Sequence, residues 1–452
     1  MIRRFLVGLT LVSALIVLGP GVAWAHGIGG RLDLPVPASY FIIGAGVVLV
    51  LSFVALAVLW PEPRLQGGPE YLSPVGPRVP RGGPLSVVGV VALLLVTTQP
   101  MVASIADPDL DRPTIAPVTV WVLFWLVVPF LSVLLGDWYT DLNPWRALAR
   151  WLRVGKTERT HLLERIGVWP AVGGFLCFAW LELVYPDSSS PVALGVAALA
   201  YTLGLFLVVA YAGRETGLAA ADIFTPYNRL ISSISPLGRG SHDRLVWRGW
   251  LRSLTVLPEW PGLAALVVVA IGTITFDGGS NTTFFRDTFA DFGSSIPGAT
   301  VLLVGSVALI GGGYALASWA AARLVGGGWT TRRVATRFTH TLVPIALAYA
   351  VAHYLTLVLF EGQQVIAAIS DPFGLGWNLF GTADRNVDFF ITTSQPIWYP
   401  QVGVIICGHV TGVVLAHDRA LADFGPEAVR SQYAMLLLMV ALTTLGLLIL
   451  AG

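Results

Sequence analysis

The sequence predicts an all-α protein: a polytopic transmembrane helix bundle with about ten spans after an N-terminal signal sequence. Three observations carry this. Of 452 residues, 55% are hydrophobic and only 12% are charged. A soluble domain carries roughly a quarter charged residues, so too little polar surface remains to cover a water-soluble fold. The apolar residues gather in runs near the ~20 residues that cross ~30 Å of hydrocarbon at 1.5 Å per residue. The basic residues are sorted between alternate connections along the chain, as the positive-inside rule requires.

The chain opens Met1-Ile2-Arg3-Arg4, runs apolar over 5–18, turns at Gly19-Pro20 and reaches Ala23-Trp24-Ala25. That is a basic n-region, an h-region and an A-x-A cleavage site. Residues 1–25 are therefore read as a signal peptide, with His26 first in the mature chain and 26–452 as the helical domain. Apolar runs follow at about 40–60, 84–106, 114–136, 166–185, 191–212, 258–276, 297–322, 340–360, 399–417 and 431–451. Backbone polar groups in lipid must bond within their own segment, so each run is expected as a helix. With the mature N-terminus outside the plasma (inner) membrane, the outer segments hold Arg31, Arg112, Arg286 and Arg385, and every other one of the 27 lysines and arginines falls inside.

Between the spans, 143–153 begins at Pro144 and mixes arginine with Trp and Leu, an interfacial helix pattern. The stretches 215–237 and 418–430 are weaker cases. The inner connection 61–83 is rich in Pro and Gly and reads as an irregular linker. The outer connection 361–398 is long for a bundle and reads as a lid. Net charge is +1, which gives no reason to expect nucleic acid; the expected partners are the lipid bilayer, an apolar small molecule and a second membrane protein. Cys177 and Cys407 lie in apolar runs and read as small core residues, not a disulfide framework.

Polar residues inside apolar spans are expensive and mark functional sites. His353 lies about eight residues before the outer end of its span, and His409 about ten after the outer start of the next. Both are expected roughly 12–15 Å below the outer connection. Glu182, Asp277, Gln363 and Gln401 gather toward the same side, as would His26. Imidazole and carboxylate together are ligands for a divalent metal ion such as zinc, manganese or copper. On that reading His353, His409 and His26 hold metal, while Glu182, Asp277, Gln363 and Gln401 activate and orient water. The plainer alternative is that each histidine bonds a neighbouring helix. His340 and His417 lie at the inner ends of the same two spans and read as an anchoring cluster. A two-haem arrangement needs equal spacings, yet His340 is thirteen residues from His353 (about 20 Å) and His417 eight from His409 (about 12 Å). Gly408 and Gly412 form a small-xxx-small pair beside His409. The glycine runs 311–313 and 326–328 lack a following Lys-Ser/Thr and are not phosphate loops.

Several stretches together resemble a family of bacterial multi-pass membrane proteins, the fenitrothion hydrolases. They include His26-Gly27-Ile28-Gly29-Gly30-Arg31, Asn143-Pro144-Trp145-Arg146-Ala147, Trp180-Leu181-Glu182, Thr275-Phe276-Asp277-Gly278 and Ala352-His353-Tyr354. Ser370-Asp371-Pro372, Gly376-Trp377-Asn378-Leu379-Phe380-Gly381, Gly408-His409-Val410 and Ala416-His417-Asp418-Arg419 extend the likeness over most of the chain. Asn378 stands where the family pattern has Asp, an amide in place of a carboxylate. The resemblance implies hydrolysis of an organophosphorus ester. It supplies no ligand set, so the candidate residues rest on their chemistry alone. Three functions follow from the sequence: a membrane-embedded, metal-dependent hydrolase; a copper- or haem-binding redox or metal-handling protein; and a transporter or structural subunit of a membrane complex.

Overall fold

The computed structural model describes residues 38–67, 73–78, 82–102, 105, 112–240, 243–391 and 394–451. The signal sequence, its cleavage site and His26 lie outside the described residues.

Long helices make up the bundle. In chain order they are α1 (Ala38–Leu59), α2 (Pro84–Thr97), α3 (Ile115–Leu135), α4 (Pro144–Trp151), α5 (Thr160–Ile166), α6 (Trp169–Leu183) and α7 (Pro191–Ala212). Then come α8 (Arg214–Ala221), α9 (Phe224–Ser232), α10 (Leu263–Ser280), α11 (Thr283–Gly293), α12 (Ile296–Val325), α13 (Thr331–Phe360), α14 (Ser394–Phe424) and α15 (Ala428–Ala451). The starts are chemically marked. Pro occupies the first turn of α2, α4, α6, α7 and α12, where its missing N–H costs nothing. Ser190, Ser295 and Thr330 cap α7, α12 and α13 through their hydroxyls.

Among the described residues, seven stretches are long and apolar enough to cross a bilayer, or eight if α5 and α6, bent by 65°, count as one span. The last of these stretches, Pro396–Ala451, folds back on itself. Phe41 at the start of α1 meets Trp398, and Trp60 just past its end meets His417, so α14 runs parallel to α1. Ala45 instead packs with Leu447, and Phe53 with Tyr433, so α15 runs the other way. Within the run at 84–106, α2 is helical over 14 residues, about 21 Å, and a short helix at Gln99–Val102 follows it.

The bundle has two unlike ends. One, the loop end, gathers the connections 184–190, 281–295 and 361–391; the other gathers 60–67, 73–78, 82–83, 136–168, 213–240, 243–262, 326–330 and 425–427. Of the basic residues described, only Arg112, Arg286 and Arg385 lie at the loop end. Between the ends, large apolar side chains face outward, among them Val58, Leu203 and Leu207 at 72%, 67% and 73% exposure. Water would not tolerate such a belt, and lipid does. Cys177 and Cys407 belong to this exposed surface and not to the core: an apolar run does not distinguish a lipid-facing position from a buried one.

Elements at the arginine-rich end are tied by buried polar groups. Asp222, fully buried, accepts from the hydroxyls of Tyr201 (2.7 Å), Thr225 (2.5 Å) and Tyr139 (3.2 Å), from Asn143 Nδ2 (2.8 Å) and from Phe224 N (3.2 Å). Asn143 also caps α4 through Arg146 N at 2.9 Å. The linker 61–83 is more regular than its composition suggests. Its residues Ser73–Arg78 form β1, which pairs antiparallel with β3 (Arg244–Trp247), itself paired with β2 (Leu237–Arg239). The stretch 418–430 begins as the last turns of α14.

The tightest seam joins α13 to α14. A Cβ on Gly408 would stand 2.3 Å from Ala348 Cβ and 2.8 Å from the Pro344 carbonyl oxygen. Only a residue without a side chain lets the two backbones approach so closely. This seam, with α10 and α15 against it, sets the positions of the polar residues in the spans.

Candidate acid–base site

Near the loop end of α10, Asp277 faces α13. Its Oδ2 lies 2.8 Å from His353 Nε2 and accepts from the Tyr354 hydroxyl at 2.8 Å. A carboxylate only accepts, so Nε2 carries the imidazole proton and Nδ1 presents a lone pair. No hydrogen bond to Nδ1 exists among the described residues. Gly278 makes this contact feasible: a Cβ there would stand 2.3 Å from Ile449 Cγ2 and 3.3 Å from His353 Nδ1. Glu182 of α6 is close enough for its charge to be felt by Asp277 and Tyr354. The His353 and Asp277 side chains keep 25% and 19% exposure, so small molecules can reach the pair.

An aromatic wall stands behind Tyr354. Its ring centroid is 6.4 Å from that of Trp125, which is 5.4 Å from Phe178. Trp125 belongs to a π-helical segment, Val118–Val127, in the middle of α3; such wide turns often mark functional sites. On the far side of the wall, α2, α3, α6 and α7 line an open apolar groove of about 820 Å³, with Phe178 and Leu181, the neighbour of Glu182, on its wall.

Comparison with protein-family models, curated proteins and solved structures finds no match.

The structure joins His353 to Asp277 and sets Glu182 nearby without a hydrogen bond to either among the described residues; Gln363, Gln401 and His409 are placed elsewhere. Gln401, buried, donates to the Ala352 carbonyl at 2.6 Å and ties α14 to α13. Gln363 clamps the long connection, giving Nε2 to the carbonyls of Leu359 and Asp388 and accepting from Asp388 N, each at 3.1 Å. His409 is fully buried, with Nδ1 2.8 Å from the Ile405 carbonyl and its ring 5.8 Å from that of Tyr349. It is not level with His353. Gln401 meets Ala352 while Gly408 meets Ala348 and Pro344, which sets His409 roughly 10 Å deeper. The apolar run begins at 399, but α14 starts at Ser394, and the depth counted from the run was short by that turn. Among the described residues no three His, Cys, Asp or Glu side chains converge as ligands of one ion.

The described part of the connection, 361–391, packs on the ends of α2 and α3. The Pro372 carbonyl accepts from Ile115 N and Gln99 Nε2, both at 3.1 Å, and buried Asp371 accepts from Leu375 N and Gly376 N. Arg112 reaches Asp384 at 2.5 Å. The connection thus packs on Ile115, one of the residues lining the apolar groove. Sequence reasoning missed Tyr354 and Trp125 as site members. The signal for Tyr354 was present, since a phenol in a span needs a partner for its hydroxyl.

Proposed function

We propose that the chain is a membrane-embedded hydrolase of apolar esters, of the organophosphorus type that the family resemblance implies, with His353 as general base. The hydrogen bond from His353 Nε2 to Asp277 supports this reading best. It fixes the tautomer that leaves Nδ1 free to take a proton from water, and it steadies the imidazolium that results. The Tyr354 hydroxyl holds the same carboxylate oxygen and keeps Asp277 aimed. Glu182, whose charge reaches Asp277, is the group that would return a proton to the leaving group. The apolar groove beyond Phe178 has the volume of a small-molecule site and would gather an apolar ester from lipid near the dyad, although none of His353, Asp277, Tyr354 and Glu182 lines it.

In the full reading, residues 1–25 are a cleaved signal, about ten helices cross the plasma membrane, and the dyad opens toward the outside with the mature N-terminus. The test is turnover of a chromogenic aryl phosphotriester by the full chain in lipid nanodiscs. Activity that persists unchanged in both His353→Ala and Asp277→Asn would remove the dyad from the reaction. Metal analysis of the same preparation tests the other chemistry expected of these residues. Stoichiometric zinc or manganese would add a Lewis acid to the dyad, whereas copper or a haem Soret band would replace hydrolysis with redox work.

A further inference from the structure

A second cavity, of about 580 Å³, opens at the arginine-rich end, between the segment leading into α10 and the first turns of α13. Arg419, His340, Arg332, Arg337 and Glu259 are among its lining residues. Two of them are more than nine-tenths buried and lack a hydrogen-bond partner on one atom. Arg419 is 6% exposed, gives Nη2 to the Thr255 carbonyl at 2.5 Å and has nothing on Nε. His340 is 4% exposed, places Nδ1 3.0 Å from the Arg337 carbonyl and has nothing on Nε2.

The neighbouring charges are already committed. Arg337 holds Asp423 with two nitrogens, at 2.8 and 2.5 Å, and Glu259 with the third at 3.0 Å. Asp418, next to Arg419 in sequence, is taken up by Trp60 Nε1, Arg64 N, Leu65 N and Gln66 Nε2. Arg419 is therefore buried with no carboxylate at ion-pair distance among the described residues, the charges of Asp423, Asp418 and Glu259 reaching it only from farther off. Burying an unpaired charge is costly, and a bound anion would offset that cost.

The donor and acceptor pattern narrows the anion. The backbone carbonyl at His340 Nδ1 fixes the proton there, so Nε2 accepts. A ligand for this cavity needs charged oxygens for Arg419 Nε–H and for Arg332 at the rim, and a hydroxyl for His340. We propose that the cavity binds a phosphate monoester, whether a free organic phosphate or a lipid headgroup, with its P–O⁻ oxygens on Arg419 and Arg332 and its P–OH on His340 Nε2. The volume suits a small phosphorylated polyol. The site requires no chemistry at the Asp277–His353 pair.

The test uses the full chain in phosphatidylcholine nanodiscs, titrated with glycerol 3-phosphate and read by thermal shift and native mass spectrometry. A second arm adds phosphatidic acid to the nanodisc lipid and reads which lipid stays bound. Wild type should bind one of the two saturably. Binding should weaken about tenfold in Arg332→Gln and in His340→Gln, the loss of one charge-assisted hydrogen bond. Arg332 is exposed and takes no part in the packing, so its variant stays informative even if Arg419→Gln fails to fold. Glycerol 3-phosphate binding assigns the free ligand; retention of phosphatidic acid alone assigns the lipid. Binding of neither, or equal binding by wild type and both variants, overturns the proposal.

Discussion

Asp277 bears two protein hydrogen bonds on one oxygen, one from an imidazole and one from a phenol. Removing a general base costs about 10²–10⁴ in rate. His353→Ala is expected to lower phosphotriester turnover by that factor, and Asp277→Asn by a similar one, because each disables the same unit. The double variant should be little worse than either single one, since members of one catalytic unit are not additive; steady-state rates on the three proteins check this. Glu158, outside the spans, offers a pH-dependent prediction. Partial burial pushes its carboxyl up, but the backbone N–H groups of Thr216 and Glu215 (3.0 and 2.9 Å) pull it down further, and it ends below the usual range. A carboxyl lowered by folding stabilises the fold above its unfolded pKa and loses that effect as pH falls through the folded one. The melting temperature of Glu158→Gln should therefore lie below wild type near neutral pH. The gap should close in acid, below the carboxylate range; a gap independent of pH would show that Glu158 does not anchor the start of α8.

At the scale of elements, the seam of α13 and α14 depends on two backbones in close approach. Gly408→Val forces atoms into Ala348 and the Pro344 carbonyl, and overpacking of this kind costs about 1–3 kcal/mol. The melting temperature in detergent should fall accordingly, whereas valine at Gly403, which meets nothing within 4 Å, should leave it nearly unchanged. The Asp222 junction is a second hub. Asp222→Ala would strand the donors of Tyr139, Asn143, Tyr201 and Thr225. Each buried donor left unpaired costs about 1–3 kcal/mol, so this variant is expected to fold poorly, while Asp222→Asn keeps one of the two acceptor oxygens and should retain more of the stability. Equal behaviour of the two variants in a thermal-stability assay would refute the role given to that carboxylate.

For the whole molecule, the governing feature is the contrast between its ends. The described arginines, all but three, lie at one end, and exposed aromatic and apolar residues of the long connection lie at the other, with Phe390 at 96% exposure. Arginine-rich ends stay on the cytoplasmic side during insertion. In a background with Cys177 and Cys407 replaced, a cysteine at Phe390 should react with an impermeant maleimide on intact cells. One at Gly327, in the turn between α12 and α13, should react only after permeabilisation. The reverse pattern would invert the assigned orientation and place the dyad on the cytoplasmic side.

Some of this architecture was legible in the order of residues. Apolar runs, their proline and serine starts and the sorting of arginine are local properties of the chain, and each forces the backbone to satisfy its own hydrogen bonds as helix. The polar residues in the spans were legible for the same reason: His353, Asp277 and Glu182 stand out wherever lipid makes ionisable groups costly. Partnership was not legible. Asp277 and His353 are 76 positions apart, and which of several intramembrane acids meets which histidine depends on helix rotation and depth, set by Gly278 against Ile449 and by Gly408 against Ala348. The sequence by itself determined that this is a helical bundle with an apolar girdle and one strongly basic end. Only the tertiary structure decided that His353 pairs with Asp277, that His409 sits about two turns deeper, and that Arg419 is buried without a carboxylate at ion-pair distance. The reason is physical: helix formation is satisfied within each segment, whereas side-chain pairing depends on contacts between segments that no single segment specifies.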